Sequence, residues 1–149
     1  VIEEKPLIQV ATHISDKYAE NENLKIEVHK IINTIDSYDK FLEVKRQLKD
    51  RFGELDEEII IYMLEELFDV LARKKEVQKV IQTDNEITLY FSNNISSKIN
   101  GSVLLTRLFK ISQNFNVMYL NGMLKITLSL KNLDRHFIYY LVEMIDIIE

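Results

Sequence analysis

The hydrophobic period of this chain changes near Lys75, from helical spacing before it to alternation after it, and that change restricts the fold sharply. Beyond Lys75, "VQKVIQT" and "EITLYFS" flank the polar pair Asp84-Asn85, which predicts a β-hairpin. A second hairpin is spelled out by "VMYLNGMLKITLSL", where Asn121-Gly122 supplies the two positive-φ residues of a type I′ turn. Leu124, Ile126, Leu128 and Leu130 fall on one face of the returning strand, with Lys125, Thr127 and Ser129 on the other. Alternation of this kind belongs to antiparallel sheets with one buried face; strands of an all-parallel sheet read as continuous apolar runs.

The first half is helical. Leu24, Val28, Ile31, Ile32 and Ile35 mark one face of a first helix, which Asp36-Ser37 interrupts. Ser37 is placed to cap a second helix, with Phe41, Val44, Leu48 and Phe52 inward, and Gly53 follows where a helix commonly stops on a left-handed residue. Asp56 then caps a third, with Glu57 and Glu58 against its positive N-terminal dipole. This third helix, Glu57 to about Lys74, is apolar over most of its circumference. Only a stripe of Glu58, Glu65, Glu66, Asp69 and Arg73 is polar, which predicts a central helix with a solvated edge. Between the hairpins, "SSKINGSVLLTRLFKIS" predicts one further helix capped by Ser96 or Ser97, with Ile99, Val103, Leu104, Leu108 and Ile111 inward and Gly101 in its interior. A final helix with Phe137, Ile138, Leu141, Ile145 and Ile148 on its buried face is expected to start from an Asn132 cap. At the front, residues 1–6 read as a linker, Leu7 to Ile14 as an edge strand or extended segment, and "SDKYAENEN" as a polar connector. The expected architecture is α+β. N-terminal helices precede a β-β-α-β-β-α run, and helices cover one face of a mostly antiparallel sheet in a single domain over 7–149.

Chemistry is hard to find in this pattern. Gly53, Gly101 and Gly122 are too far apart for a phosphate-cradling loop, so no nucleotide cofactor is expected. His13, His29 and His136 lie on separate elements with no ligating partner at helical spacing, and with no cysteine in the chain neither a metal site nor a disulfide is expected. Asp134 to His136 offers an acid beside a histidine, but Asp134 at a helix start is better explained by the dipole. No Gly-flanked serine elbow occurs, and no catalytic residue is assigned. A net charge of −5 argues against a function dominated by phosphate contacts. Tyr90, Phe91 and Tyr119 on the strands are candidates for base stacking, with packing under helices the alternative for each. The longest apolar run, Ile59 to Leu64, is far short of a membrane span, and the acidic start lacks a signal peptide's basic segment. A cytoplasmic location is therefore expected, and the Val start suggests a piece of a longer protein.

The stretch from Ile14 to Val80 resembles the C-terminal domain of the bacterial transcription-repair coupling factors. Tyr18, Leu24, Lys30, Ile32, Leu55, Leu71 and Ala72 stand where that family's pattern wants them, as does the run Asp50-Arg51-Phe52-Gly53 that closes the second helix. Ala19-Glu20, His29, Ile31 and Asp56 depart from it, the last harmlessly because Asp also starts helices well. The resemblance implies a non-catalytic, autoinhibitory domain of an ATP-dependent DNA translocase that displaces stalled RNA polymerase and recruits UvrA. ATP and magnesium would be used by motor domains elsewhere in the parent. By the same resemblance, the domain docks as a monomer on the parent's UvrA-binding module and masks it, reaching UvrA, polymerase and DNA only through the parent. Glu65, Glu66 and Asp69 are then one candidate docking row, pairing with cations on that module. The rival expectation is a stand-alone α+β domain that binds nucleic acid with its sheet. An open basic and aromatic sheet face would favour that rival, and an acidic or doubly covered sheet would exclude it. A hydrolase comes third and requires a deep pocket of converging carboxylates.

Overall fold

The computed structural model describes residues 22–148, so the linker, the edge strand or extended segment expected over Leu7 to Ile14 and most of the polar connector lie outside the described residues. Three helices come first: α1 (Glu22–Ile32), α2 (Tyr38–Phe52) and α3 (Glu57–Lys74). They are followed by β1 (Val77–Gln82), β2 (Glu86–Phe91), a single turn α4 (Asn93–Ser96) and α5 (Gly101–Ile111). The chain ends on β3 (Phe115–Leu120), β4 (Met123–Ser129) and α6 (Phe137–Ile147). This is the expected α+β architecture, and every strand pair is antiparallel.

The helix boundaries follow local chemistry. Ser37 Oγ accepts the Lys40 amide at 3.1 Å, and Asp56 Oδ1 accepts that of Ile59 at 3.0 Å, so both caps sit where the sequence places them. Gly53 does stop α2, with its N–H donated to the Lys49 carbonyl, but at φ 89°, ψ −164° it is not the expected left-handed helical residue. That region is open essentially only to glycine. A Cβ built on Gly53 would meet nothing within 4 Å. Gly53→Val and Gly53→Ala should therefore both lose about 1–3 kcal/mol, through backbone strain rather than crowding. A urea titration checks this; a large loss in Val with none in Ala would point to sterics instead.

Two starts differ from expectation. The fourth helix, expected from a Ser96 or Ser97 cap, starts instead at α5, capped by Asn100, whose Oδ1 accepts the amides of Ser102 and Val103, and a separate turn α4, capped by Ser92, precedes it and ends at Ser96. Gly101 is thus the first residue of α5 and not an interior one, and Val103 is exposed rather than inward. Gly101 lies against the Tyr119 ring, where a Cβ would come within 2.8 Å of a ring carbon. In the second case Asn132 takes φ 61° in a turn, and α6 starts instead from His136, whose Nδ1 accepts the Ile138 amide at 3.1 Å.

The sheet order is β1-β2-β4-β3, so the chain leaves β2, passes through α4 and α5, and returns with β4 beside β2. Asn121 (φ 53°) and Gly122 (φ 76°) form the expected positive-φ turn between β3 and β4. Ile87, Leu89 and Phe91 of β2 and Leu124, Ile126 and Leu128 of β4 are fully buried, and join the apolar faces of α1 to α6 in one core. Within the helical layer α3 packs against α1, α2, α6 and β1, which makes it the central helix. No helix among the described residues is long and apolar enough to cross a membrane.

Candidate functional site

Two surfaces stand out, one acidic and one basic. The acidic one is the polar stripe of α3. Tyr62, Glu65, Glu66 and Asp69 fall on one side of the helix at spacings of three and four. The stripe is half-buried rather than solvated, because α1 packs alongside it. His29 Nδ1 lies 2.8 Å from the Tyr62 hydroxyl, which donates to Asn33 Oδ1 at 3.2 Å. The hydroxyl has one proton to give, so His29 Nδ1 carries the proton of the other bond. Burial, then the charges of Glu66 and Glu65, pushes Tyr62 up to about 12. Glu66 is itself raised above the ordinary carboxylate range, by burial first and by Asp69 second. The three docking candidates thus form a half-buried patch of like charge.

The basic surface is the outer face of the sheet. Lys79 pairs with Tyr90, Tyr90 with Lys125, and Lys125 with Met118, so the four side chains form one row across all four strands. The lysine ammonium groups lie 6.0 Å (Lys79) and 5.8 Å (Lys125) from the Tyr90 ring centre. Behind this row runs a second one of Ile81, Thr88, Thr127 and Asn116, in which the two threonine hydroxyls are 3.3 Å apart. Met118 and Leu120 are about half exposed, and Ile81 and Lys79 are exposed, so this face is open among the described residues. Of the three stacking candidates only Tyr90 belongs to it. Phe91 is buried in the core, and Tyr119 turns to the opposite face, where its hydroxyl donates to the Ile99 carbonyl at 2.5 Å.

The sequence argues against lysines interleaved with aromatics, yet the fold brings them together from three strands. A signal was present: between Ile87 and Leu133 the chain has five cations and no carboxylate.

The remaining candidates do not converge. His29 belongs to the Tyr62 network and His136 caps α6, while His13 lies outside the described residues. Burial lowers the pKa of His136, which keeps the capping nitrogen unprotonated. Asp134 is not in the first turn of a helix; it accepts a hydrogen bond from the Tyr140 hydroxyl, which lowers its pKa. Arg135 sits 4.8 Å from the Tyr140 ring centre and pairs with Glu143 at 3.2 Å, so the acid and the histidine have separate structural partners. The hollows beside α5 measure about 170 Å³, against the end of α6, and about 520 Å³, against β3. Neither is lined by a carboxylate or a histidine; a third, of about 420 Å³ between α5 and α6, is lined by Glu143 and Asp146 together with Lys110 and Arg135, and Arg135 pairs with Glu143. No three His, Asp or Glu side chains among the described residues are grouped to hold a metal.

The run Asp50-Arg51-Phe52-Gly53 acquires a geometric meaning. Arg51 makes a two-pronged ion pair with Glu27 of α1, one bond Nη2 to Oε2 at 2.8 Å, while Gly53 ends α2. It ties α1 to α2, although at this exposure the pair contributes no more than about 1 kcal/mol.

Known proteins agree with this architecture. Transcription-repair-coupling factors of Staphylococcus aureus, strains USA300 and NCTC 8325, are each 22% identical over 139 residues. Those matches take in 93% of this chain but 12% of each relative, so the chain spans about an eighth of their length. A crystal structure of the C-terminal domain of a transcription-repair coupling factor superposes with a TM-score of 0.71 at 21% identity, covering 93% of this chain and 86% of that one. The TRCF domain family matches residues 8–102, well over half of the sequence. On that match the chain belongs to the TRCF domain family.

Proposed function

We propose that this is a non-catalytic regulatory domain of a transcription-repair coupling factor, an ATP-driven DNA translocase whose motors lie in other domains. In this reading it docks, as a monomer, on the parent's UvrA-binding module and masks it until the parent engages stalled RNA polymerase. The observation that carries the reading is the half-buried acidic row of α3. Glu66 beside Asp69 is an unfavourable arrangement in the free domain, and an incoming cation would relieve it. Contact surfaces between domains of one chain are modest, about 600–1,500 Å². Tethering supplies an effective concentration of up to roughly millimolar, so weak docking keeps the mask closed and still allows it to open.

Deleting residues 1–149 from the parent should raise its affinity for UvrA, measured by pull-down or interferometry. In trans, the domain should bind the module weakly, more weakly as salt rises, and more weakly again with Glu66→Gln. The pH dependence has a definite sign. The raised pKa of Glu66 means that the free fold loses stability as pH rises through the window above the ordinary carboxylate range. A docked cation lowers that pKa again, so docking releases a proton and tightens as pH rises through the same window. Equal UvrA binding by the intact and truncated parents would remove the masking role.

A further inference from the structure

We infer that the outer face of the sheet is a binding surface for single-stranded nucleic acid, centred on Tyr90. This goes beyond the masking reading and does not rest on it, because the acidic row belongs to α3 in the helical layer. Four observations support it together. The row Lys79–Tyr90–Lys125–Met118 crosses the whole sheet, with one lysine on each side of the aromatic ring. Neither lysine has a carboxylate partner among the described residues; their recorded contact is with the Tyr90 ring. The next row offers the half-buried Thr127 hydroxyl and the exposed Asn116 amide, which can donate to and accept from base edges, with Thr88 buried beside them. Finally, β2 after Glu86, all of β3 and all of β4 lie in the acid-free stretch, so Lys79 and Lys125 outweigh Glu86, the one carboxylate that the strands place on this face, in a chain of net charge −5.

The chemistry selects the occupant. A flexible single strand presents base faces and phosphates in alternation. Tyr90 is a stacking platform, and lysines on both sides can swing from the ring to the phosphates that flank a stacked base. A duplex hides its base faces and has nothing to stack. An acidic peptide satisfies the lysines but leaves the aromatic ring without a specific role.

The test uses the full 149-residue chain and fluorescence anisotropy with labelled 12-nucleotide oligothymidine, oligouridine, a duplex of the same length and polyglutamate. Either single strand should bind, and the ratio of the two identifies DNA or RNA as the preferred source. The slope of log K against log salt should be about −1.4, for two phosphates at roughly 0.7 each. Tyr90→Ala should weaken binding by about fivefold or more. Lys79→Gln, at an exposed position that leaves folding undisturbed, should reduce the slope by about 0.7, which keeps the test decisive where the Tyr90 variant folds poorly. Absence of single-strand binding overturns the inference. So does duplex or polyglutamate binding of equal strength, or a salt slope unchanged in Lys79→Gln.

Discussion

Phe68→Ala should cost this domain about 3–5 kcal/mol, a large share of the roughly 5–15 kcal/mol that separates typical folded and unfolded states. Phe68 is fully buried on α3, the helix that contacts α1, α2, α6 and β1. A truncation there removes packing from a helix that four elements share, and a close-packed interior collapses only partly around the void. At a urea slope near 2 kcal/mol/M, the midpoint should fall by about 1.5–2.5 M. Phe109→Ala is the matched control, because Phe109 on α5 is 46% exposed and its truncation should change stability by no more than about 0.5 kcal/mol. Equal losses in the two variants would mean that α3 is not the centre of the fold.

The sequence makes α3 legible because an apolar surface over most of a helix has one explanation, burial on several sides. Ser37, Asp56 and the Asn121-Gly122 turn were legible for a similar reason, since each answers a local backbone need that few residue types meet. What stayed hidden depends on distant partners. Ile99 keeps helical spacing with Val103 but lies in the connection from Ser97 to Asn100, so periodicity alone starts α5 a turn early and misses the short α4 before it. Asn132 and His136 both precede apolar residues, and Asn is the commoner cap; the structure gives that position to His136 while Asn132 turns the chain with positive φ. The row on the outer sheet face is the clearest case. It depends on β4 lying between β2 and β3, and therefore on the register of strands far apart in sequence. The acidic row was visible as a pattern on α3, but its half-buried state follows from α1 lying against it.

Ser96 shows how much a misread residue can matter, and Ser96→Ala should destabilise the domain by about 1–3 kcal/mol. From its position before an apolar run, Ser96 reads as a helix cap. In the structure it is the buried last residue of α4, and its hydroxyl accepts the Leu124 amide at 2.7 Å while donating to the Ser92 carbonyl at 2.6 Å. The register of β2 with β4 ends at Tyr90 and Lys125, so beyond that pair Ser96 stands in for the missing strand neighbour of Leu124. Alanine removes only the hydroxyl oxygen and adds nothing to the buried site. The Leu124 amide then stays buried with no acceptor, which costs its full desolvation rather than the small net value of an ordinary hydrogen bond. Ser97→Ala is the comparison, because Ser97 is exposed and its hydroxyl donates only to the Asn94 carbonyl of the same turn. Urea midpoints should separate the two variants. Hydrogen exchange should show the Leu124 amide losing protection in Ser96→Ala and retaining it in Ser97→Ala. If Ser96 acts as a cap, the exchange change appears instead in the first turn of α5, with Leu124 still protected, and the strand-substitute role is wrong.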